Sequence, residues 1–186
     1  MPVDYHQIAH AVLARPPRLG NTRLVCVDGP SGAGKTTVAQ RIAAGLAQLS
    51  GLNAPIVATD DLLDGWADQF SFWSRLEDEV LAPIAAGRVA SYRPYDWVAG
   101  HFRDDPVTVP VTGLLIVEGV TAARPAIHAH TTLTVFVTAP AVVRHARALA
   151  RDGEALRPQL ERWWRAEDAY FTDEATDAAD VVIASA

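Results

Sequence analysis

Lys35 is the only lysine in a chain whose 16 Lys and Arg are otherwise all arginine, and it stands inside Gly29-Pro30-Ser31-Gly32-Ala33-Gly34-Lys35-Thr36-Thr37. The spacing Gly-x-x-x-x-Gly-Lys-Thr makes a phosphate-binding loop when a strand precedes it and a helix follows. Both are expected here: Leu24 to Val27 is a continuous apolar run, and Val38, Ile42 and Leu46 recur on one helical face. Glycines in such a loop let backbone N–H groups converge on phosphate oxygens, and the helix start adds positive potential. A compact ammonium suits the β/γ-phosphates better than a planar guanidinium does, which explains why this position escapes the preference for arginine. Gly29, Ser31, Gly32, Ala33, Gly34, Lys35, Thr36 and Thr37 are the expected phosphate cradle, with the Thr36 hydroxyl offered to Mg²⁺.

Holding a nucleotide is not yet a reaction, because GTPases, ATP-driven motors and kinases share this loop. Carboxylates follow two further apolar runs: Asp60 and Asp61 after Pro55 to Thr59, and Glu118 after Gly113 to Val117. The carboxyl ends of parallel strands border the crevice where ligands bind. Asp60 is the candidate base, placed to orient an acceptor hydroxyl and take its proton, with Asp61 beside it at the acceptor. Either residue could instead cap the segment that follows. Thr36, Asp60 and Glu118 are the candidate metal-site residues; Glu118 has two readings, aiding Mg²⁺ through water or holding the loop by hydrogen bonds.

Two more groups bear on the acceptor. Eight of the 14 Trp, Tyr and Phe lie between Trp66 and Phe102. Phe72 and Trp73, in a helical pattern, are expected in the core. Tyr92, Tyr95 and Trp97 flank Pro94 in a loop-like stretch and are expected to stack a flat ring, with Arg93, His101 and Arg103 hydrogen-bonding its substituents. Arg144, Arg147 and Arg151 are spaced by three and four, so one helix face would present all three to a transferring phosphate, as a lid that excludes water. Their alternative is a solvated basic face paired with Asp152 and Glu154.

The elements that must position these residues alternate as strand and helix, the pattern of an α/β fold with a parallel sheet. Strands are expected at 23–28, 55–59, 113–117, 133–137 and 181–183. Helices are expected from the glycine loop to about Gly51, over 72–86, over about 140–151, and after Pro158 through Leu160, Trp163, Trp164 and Phe171. Ile8, Val12 and Leu13 predict a short leading helix outside the core. The 186 residues, 49% hydrophobic, fit a single domain, 1–186, with an acceptor region near 60–105 and a lid near 140–165. A net charge of -6 argues against nucleic-acid or anionic-membrane partners and for a small molecule. The lone Cys26 reads as a buried strand thiol, which favours a reducing compartment. With Asp4 and His6 where a secretory signal needs apolar residues, and no run approaching a membrane span, a cytoplasmic protein is expected. A homo-oligomer is compatible with all of this. No zinc or redox centre is expected, since His128 and His130 lack Cys or carboxylate partners.

The stretches "VDGPSGAGKTT", "TDDLL", "YRPYDW", "LLIVEGV" and "RHARALARD" occur in the order and near the spacing of the uridine kinase-like group of P-loop kinases, which includes phosphoribulokinase, pantothenate kinase and nicotinamide riboside kinase. The resemblance spans about residues 22–183. It implies a five-stranded parallel sheet with a helical lid, ATP as donor with Mg²⁺, and a hydroxyl acceptor. By position Asp60 resembles the group's general base, Tyr95 and Trp97 its stacking aromatics, and Arg144, Arg147 and Arg151 its lid arginines. The chain departs from the pattern at "FSFWSRLEDE", which holds no counterpart of the aspartate segment that grips a ribose diol, and at His101, one residue late. The leading expectation is an ATP-dependent kinase of a nucleoside or nucleoside-like alcohol. The alternatives are a nucleoside monophosphate (cytidylate-like) kinase, in which Arg88, Arg93 or Arg103 would converge on the acceptor phosphate, and a nucleotide-binding module or slow ATPase.

Overall fold

The structure, a computed structural model, describes residues 3–171 and 178–185. Its centre is a five-stranded parallel sheet formed by β1 (Arg23–Asp28), β2 (Ile56–Ala58), β7 (Leu114–Glu118), β8 (Thr131–Thr138) and β9 (Val181–Ala184), in the order β2-β7-β1-β8-β9. All five fall on the expected apolar runs. Alternation along β1 divides the core in two: Val25 and Val27 face one layer, Leu24 and Cys26 the other.

On the first face lie α1 (Tyr5–Ala14) and α2 (Lys35–Ser50). Asp4 caps α1 through the N–H groups of His6 and Gln7. Ile8, Ala9 and Val12 are buried against α2, where Gly45 lets the helices close; a Cβ there would lie 3.2 Å from the Tyr5 carbonyl oxygen. The second face carries α3 (Trp73–Arg75), a π-helical turn (Leu76–Leu81) and α4 (Ala82–Ala85), one continuous helical segment over the predicted range. Leu76, Val80 and Ile84 are buried as the spacing predicts. The widened turn, in which the Ala82 N–H reaches the Glu77 carbonyl five residues back, immediately precedes Pro83, whose ring would crowd a regular i−4 carbonyl. Also on this side are α5 (Ala141–Asp152) and α6 (Arg157–Tyr170), joined by a single 3₁₀ turn.

The stretch of Tyr92, Tyr95 and Trp97 around Pro94, loop-like in sequence, belongs to two small antiparallel pairs. β3 (Ala90–Tyr92) pairs with β6 (Val107–Val109), and β4 (Tyr95–Asp96) with β5 (His101–Phe102). Runs of two or three residues are too short to show a period. Among the described residues no helix is long and apolar enough to cross a membrane.

Candidate active site

Register brings the chemistry to one rim. Val27 of β1 pairs with Glu118 of β7, and Glu118 with Ala58 of β2, so the strand ends that lead into Gly29, Gly119 and Asp60 lie side by side. Close approach there requires glycine. A Cβ on Gly29 would stand 2.0 Å from the Val137 carbonyl oxygen, and one on Gly119 would stand 1.8 Å from Thr59 Oγ1, both at positive φ.

The loop is held in shape by its own surroundings. Lys35 Nζ donates to the Pro30 carbonyl at 3.1 Å, and Thr36 Oγ1 donates to Glu118 Oε1 at 2.9 Å. Asp28, buried below the loop, accepts from the N–H groups of Gly29 (2.7 Å) and Ala123 (2.9 Å), and burial pushes its carboxyl up to about 6. Above the loop is a cavity of about 200 Å³ lined by Ser31, Gly32, Gly34, Lys35, Thr36, Asp60, Glu118, Arg147 and Arg151, among others. Gly29, Ala33 and Thr37 do not line it. Glu118 is held above the usual carboxylate range by burial, opposed by the Lys35 ammonium and the Thr36 hydroxyl. Thr36, Glu118 and Asp60 share this cavity, an oxygen donor set of the kind Mg²⁺ takes together with phosphates and water. No cluster of three His, Cys, Asp or Glu suited to a metal occurs among the described residues. Glu118 makes the loop-holding hydrogen bond of its second reading, and its place in the cavity leaves the first open to it.

A second cavity, of about 520 Å³, adjoins the first and shares Ser31, Asp60 and Arg151 with it. Asp60 and Asp61 lie in a 3₁₀ turn (Thr59–Leu62) directly after β2. Trp97 Nε1 donates to the Asp60 carbonyl at 3.1 Å and so ties the aromatic segment to that turn. Trp66 stands edge to face with Trp97 (centroids 5.2 Å apart, 69°) and with Trp163 (5.6 Å, 88°), and all three line the cavity. Asp61 lines it too, accepting from the Tyr92 hydroxyl at 3.2 Å; burial raises its carboxyl.

Several expected acceptor residues are placed otherwise. Tyr92 is a buried core residue that touches the site only through Asp61, because the β3–β6 pairing turns its ring inward. Tyr95 packs between Trp97 and Phe102 as support and does not line the cavity. Arg93, His101 and Arg103 are exposed outside the cavity; the His101 Nδ1 pairs with the carbonyl of Phe102 on its own hairpin.

The three arginines of α5 also divide. Arg147 and Arg151 line the phosphate-loop cavity, Arg147 reaching the Gly32 carbonyl (3.3 Å) and Ser185 Oγ (3.1 Å). Arg144 is buried and turned away, its Nε on the Ala139 carbonyl (3.2 Å) and its guanidinium 3.6 Å from Glu167. What draws it off is Glu167 of α6, a carboxylate with no exposed surface. Glu167 accepts from the Ser31 N–H (2.9 Å), from the Ser31 hydroxyl at short range and from Trp163 Nε1 (2.8 Å). Burial raises its carboxyl. Sequence reasoning missed Glu167, Trp66, Trp163 and Asp152 as site residues. The available signal was Glu167 one helical turn after Trp163, on the face that also carries Leu160.

No protein-family model matches the chain, and no curated protein is similar to it. Among solved structures, a possible uridine kinase from Bacillus stearothermophilus is similar at TM-score 0.70 and 20% identity, over 96% of each chain. A candidate fructose transport system kinase from Silicibacter sp. TM1040 is similar at TM-score 0.68 and 20% identity, over 97% of this chain and 99% of that one. The order of its strands, the glycine loop after β1 and these likenesses give the chain the α/β fold of those two structures.

Proposed function

We propose that the protein is an ATP- and Mg²⁺-dependent phosphotransferase that moves the γ-phosphate to a hydroxyl of a small molecule, a nucleoside or nucleoside-like alcohol. The observation that carries this reading is the junction of the two cavities at Asp60 and Arg151. A donor held on the glycine loop and an acceptor held among the tryptophans would meet at a carboxylate and a guanidinium. The backbone N–H groups of the loop and Lys35 hold the phosphates. Thr36, with Glu118 and Asp60 nearby, would hold Mg²⁺, which when bound neutralises phosphate charge. Asp60 orients the acceptor hydroxyl and takes its proton as the new P–O bond forms, while Arg147 and Arg151 offset charge on the moving phosphoryl group.

The likeness to a possible uridine kinase accords with an alcohol acceptor. A monophosphate acceptor is disfavoured, because Arg88, Arg93 and Arg103 are exposed and none lines the larger cavity. A mere binding module is disfavoured by Asp60 facing the phosphate cavity and by the 37% exposure of Trp97, which is not packed core. The test is ADP release from Mg-ATP against nucleosides, nucleoside monophosphates and simple alcohols, with mass detection of the product. A phosphorylated alcohol is the expected result. Stimulation by monophosphates alone, or ADP release indifferent to every acceptor, overturns the reading.

A further inference from the structure

The larger cavity carries a charge imbalance that bears on what it accepts, an inference that rests on the kinase reading above. Three carboxylates line it, Asp60, Asp61 and Asp152, against one cation, Arg151. That cation is already engaged: Arg151 Nε and Nη2 donate to the two oxygens of Asp152 at 2.6 and 2.8 Å. Arg151 also acts on Asp60, which shares the adjoining cavity with Lys35 and Arg147, so the carboxylate left without a cation of its own in the wall of the larger cavity is Asp61. Arg75 lies nearby but is committed to the Leu62 carbonyl and to Asp68. Arg103 is exposed and outside the cavity wall, and its charge is the smallest of the influences on Asp61.

The rest of the wall is aromatic. Trp66 meets Trp97 at 69° and Trp163 at 88°, so the indoles form two corners of a box, with Leu156 and Leu160 completing the apolar surface. Indole is the strongest of the aromatic rings toward cations, and near-perpendicular walls are how aromatic cages surround a quaternary nitrogen. Carboxylates beside indoles repel an anion, gain nothing from a neutral alcohol beyond hydrogen bonds, and attract a cation twice over.

We propose that the acceptor is a cationic alcohol, a hydroxyl compound bearing a protonated or quaternary nitrogen, with its charge in the box of Trp66, Trp97 and Trp163 beside Asp61 and its hydroxyl at Asp60. In the transfer the acceptor oxygen bonds to the γ-phosphorus and the bond from that phosphorus to the β,γ-bridging oxygen breaks. The hydroxyl proton passes to the Asp60 carboxylate, and ADP carries away the leaving electron pair.

The test uses the full chain and pairs of alcohols matched in shape but not in charge. The pairs are choline and its carbon isostere dimethylbutanol, glucosamine and glucose, and ring-methylated cationic adenosine and adenosine, with glucuronate as the anion. Binding is read by quenching of tryptophan fluorescence and by calorimetry without nucleotide, and phosphorylation by product mass with Mg-ATP. At least one cation is expected to bind roughly tenfold or more tighter than its neutral partner and to be the phosphorylated member. The Asp61→Asn variant keeps an acceptor for the Tyr92 hydroxyl and should shrink that preference severalfold while the ATP KM stays level. Phosphorylation of neutral or anionic members in preference to cations overturns the charge assignment and leaves the kinase reading standing. Selective cation binding with no phosphorylated product supports the box and overturns the kinase reading. Failure of every cation to bind at millimolar concentration, or a preference unchanged in Asp61→Asn, overturns the proposal.

Discussion

At the scale of single residues, the two halves of the proposed chemistry separate in their mutants. Lys35→Ala removes the only ammonium in the phosphate cavity and is expected to abolish nearly all turnover. Asp60→Asn keeps the size and the backbone carbonyl that Trp97 grips but loses the proton acceptor. Its kcat is expected to fall roughly 10²-fold or more with the ATP KM nearly unchanged. Loss of ATP binding in that variant, measured by calorimetry, would instead assign Asp60 to metal or structure. Trp97→Ala opens the acceptor box and frees the Asp60 carbonyl, so the acceptor KM should rise while the ATP KM does not; an unchanged acceptor KM removes Trp97 from the site. The residues whose placement was legible in sequence were those whose place at the rim follows from position along the chain. Lys35, Thr36, Asp60 and Glu118 sit at fixed steps from a strand end, and the strand end is visible. Tyr92, Tyr95 and His101 were harder, because which side of a two- or three-residue strand faces a cavity depends on its pairing partner.

At the scale of elements, α6 is the surprise. Sequence places Leu160, Trp163, Trp164 and Phe171 in this helix; the first three are buried in it, and Phe171 falls just past its last residue, Tyr170. Sequence does not say that Glu167 is buried with those three and locks onto Ser31, nor that Arg144 leaves its two neighbours to meet it. The buried carboxylate joins α5, α6 and the glycine loop in one network. Glu167→Ala leaves the Arg144 guanidinium and the Ser31 N–H without it and should destabilise the fold by about 3 kcal/mol, read from the shift of the urea midpoint at constant m. Combined with Arg144→Met, the losses should be distinctly less than additive, since the two side chains serve one network. Additive losses would show that they act separately.

At the scale of the whole molecule, four carboxylates gathered from β1, the turn after β2, β7 and α6 are held above the ordinary range, burial being the first cause in each: Asp28, Asp61, Glu118 and Glu167. Each binds its proton more tightly folded than unfolded. Where the folded state holds more protons, stability falls as pH rises, and for Asp28 that window runs from 3.8, its unfolded value, to about 6. Urea unfolding of the free protein should therefore show Asp28 costing stability as pH rises from 3.8 to about 6, with Asp61, Glu118 and Glu167 acting in the same direction. Asp28→Asn, which gives up one of its two hydrogen bonds from the Gly29 and Ala123 N–H groups, should flatten that decline while lowering stability at acid pH; an unaltered profile removes Asp28 as its source. The sheet order has a different consequence, for the birth of the protein. β1 carries the glycine loop and lies between β7 and β8, so its two neighbours are synthesised long after it, the second ending only at Thr138. Such non-local pairing folds slowly and leaves apolar strands exposed meanwhile. On the ribosome, Leu24 to Val27 must wait, unpaired and unprotected, until most of the chain has emerged. The nascent protein is thus expected to expose these apolar strands through most of its synthesis, and the rim that carries the glycine loop is complete only near the end.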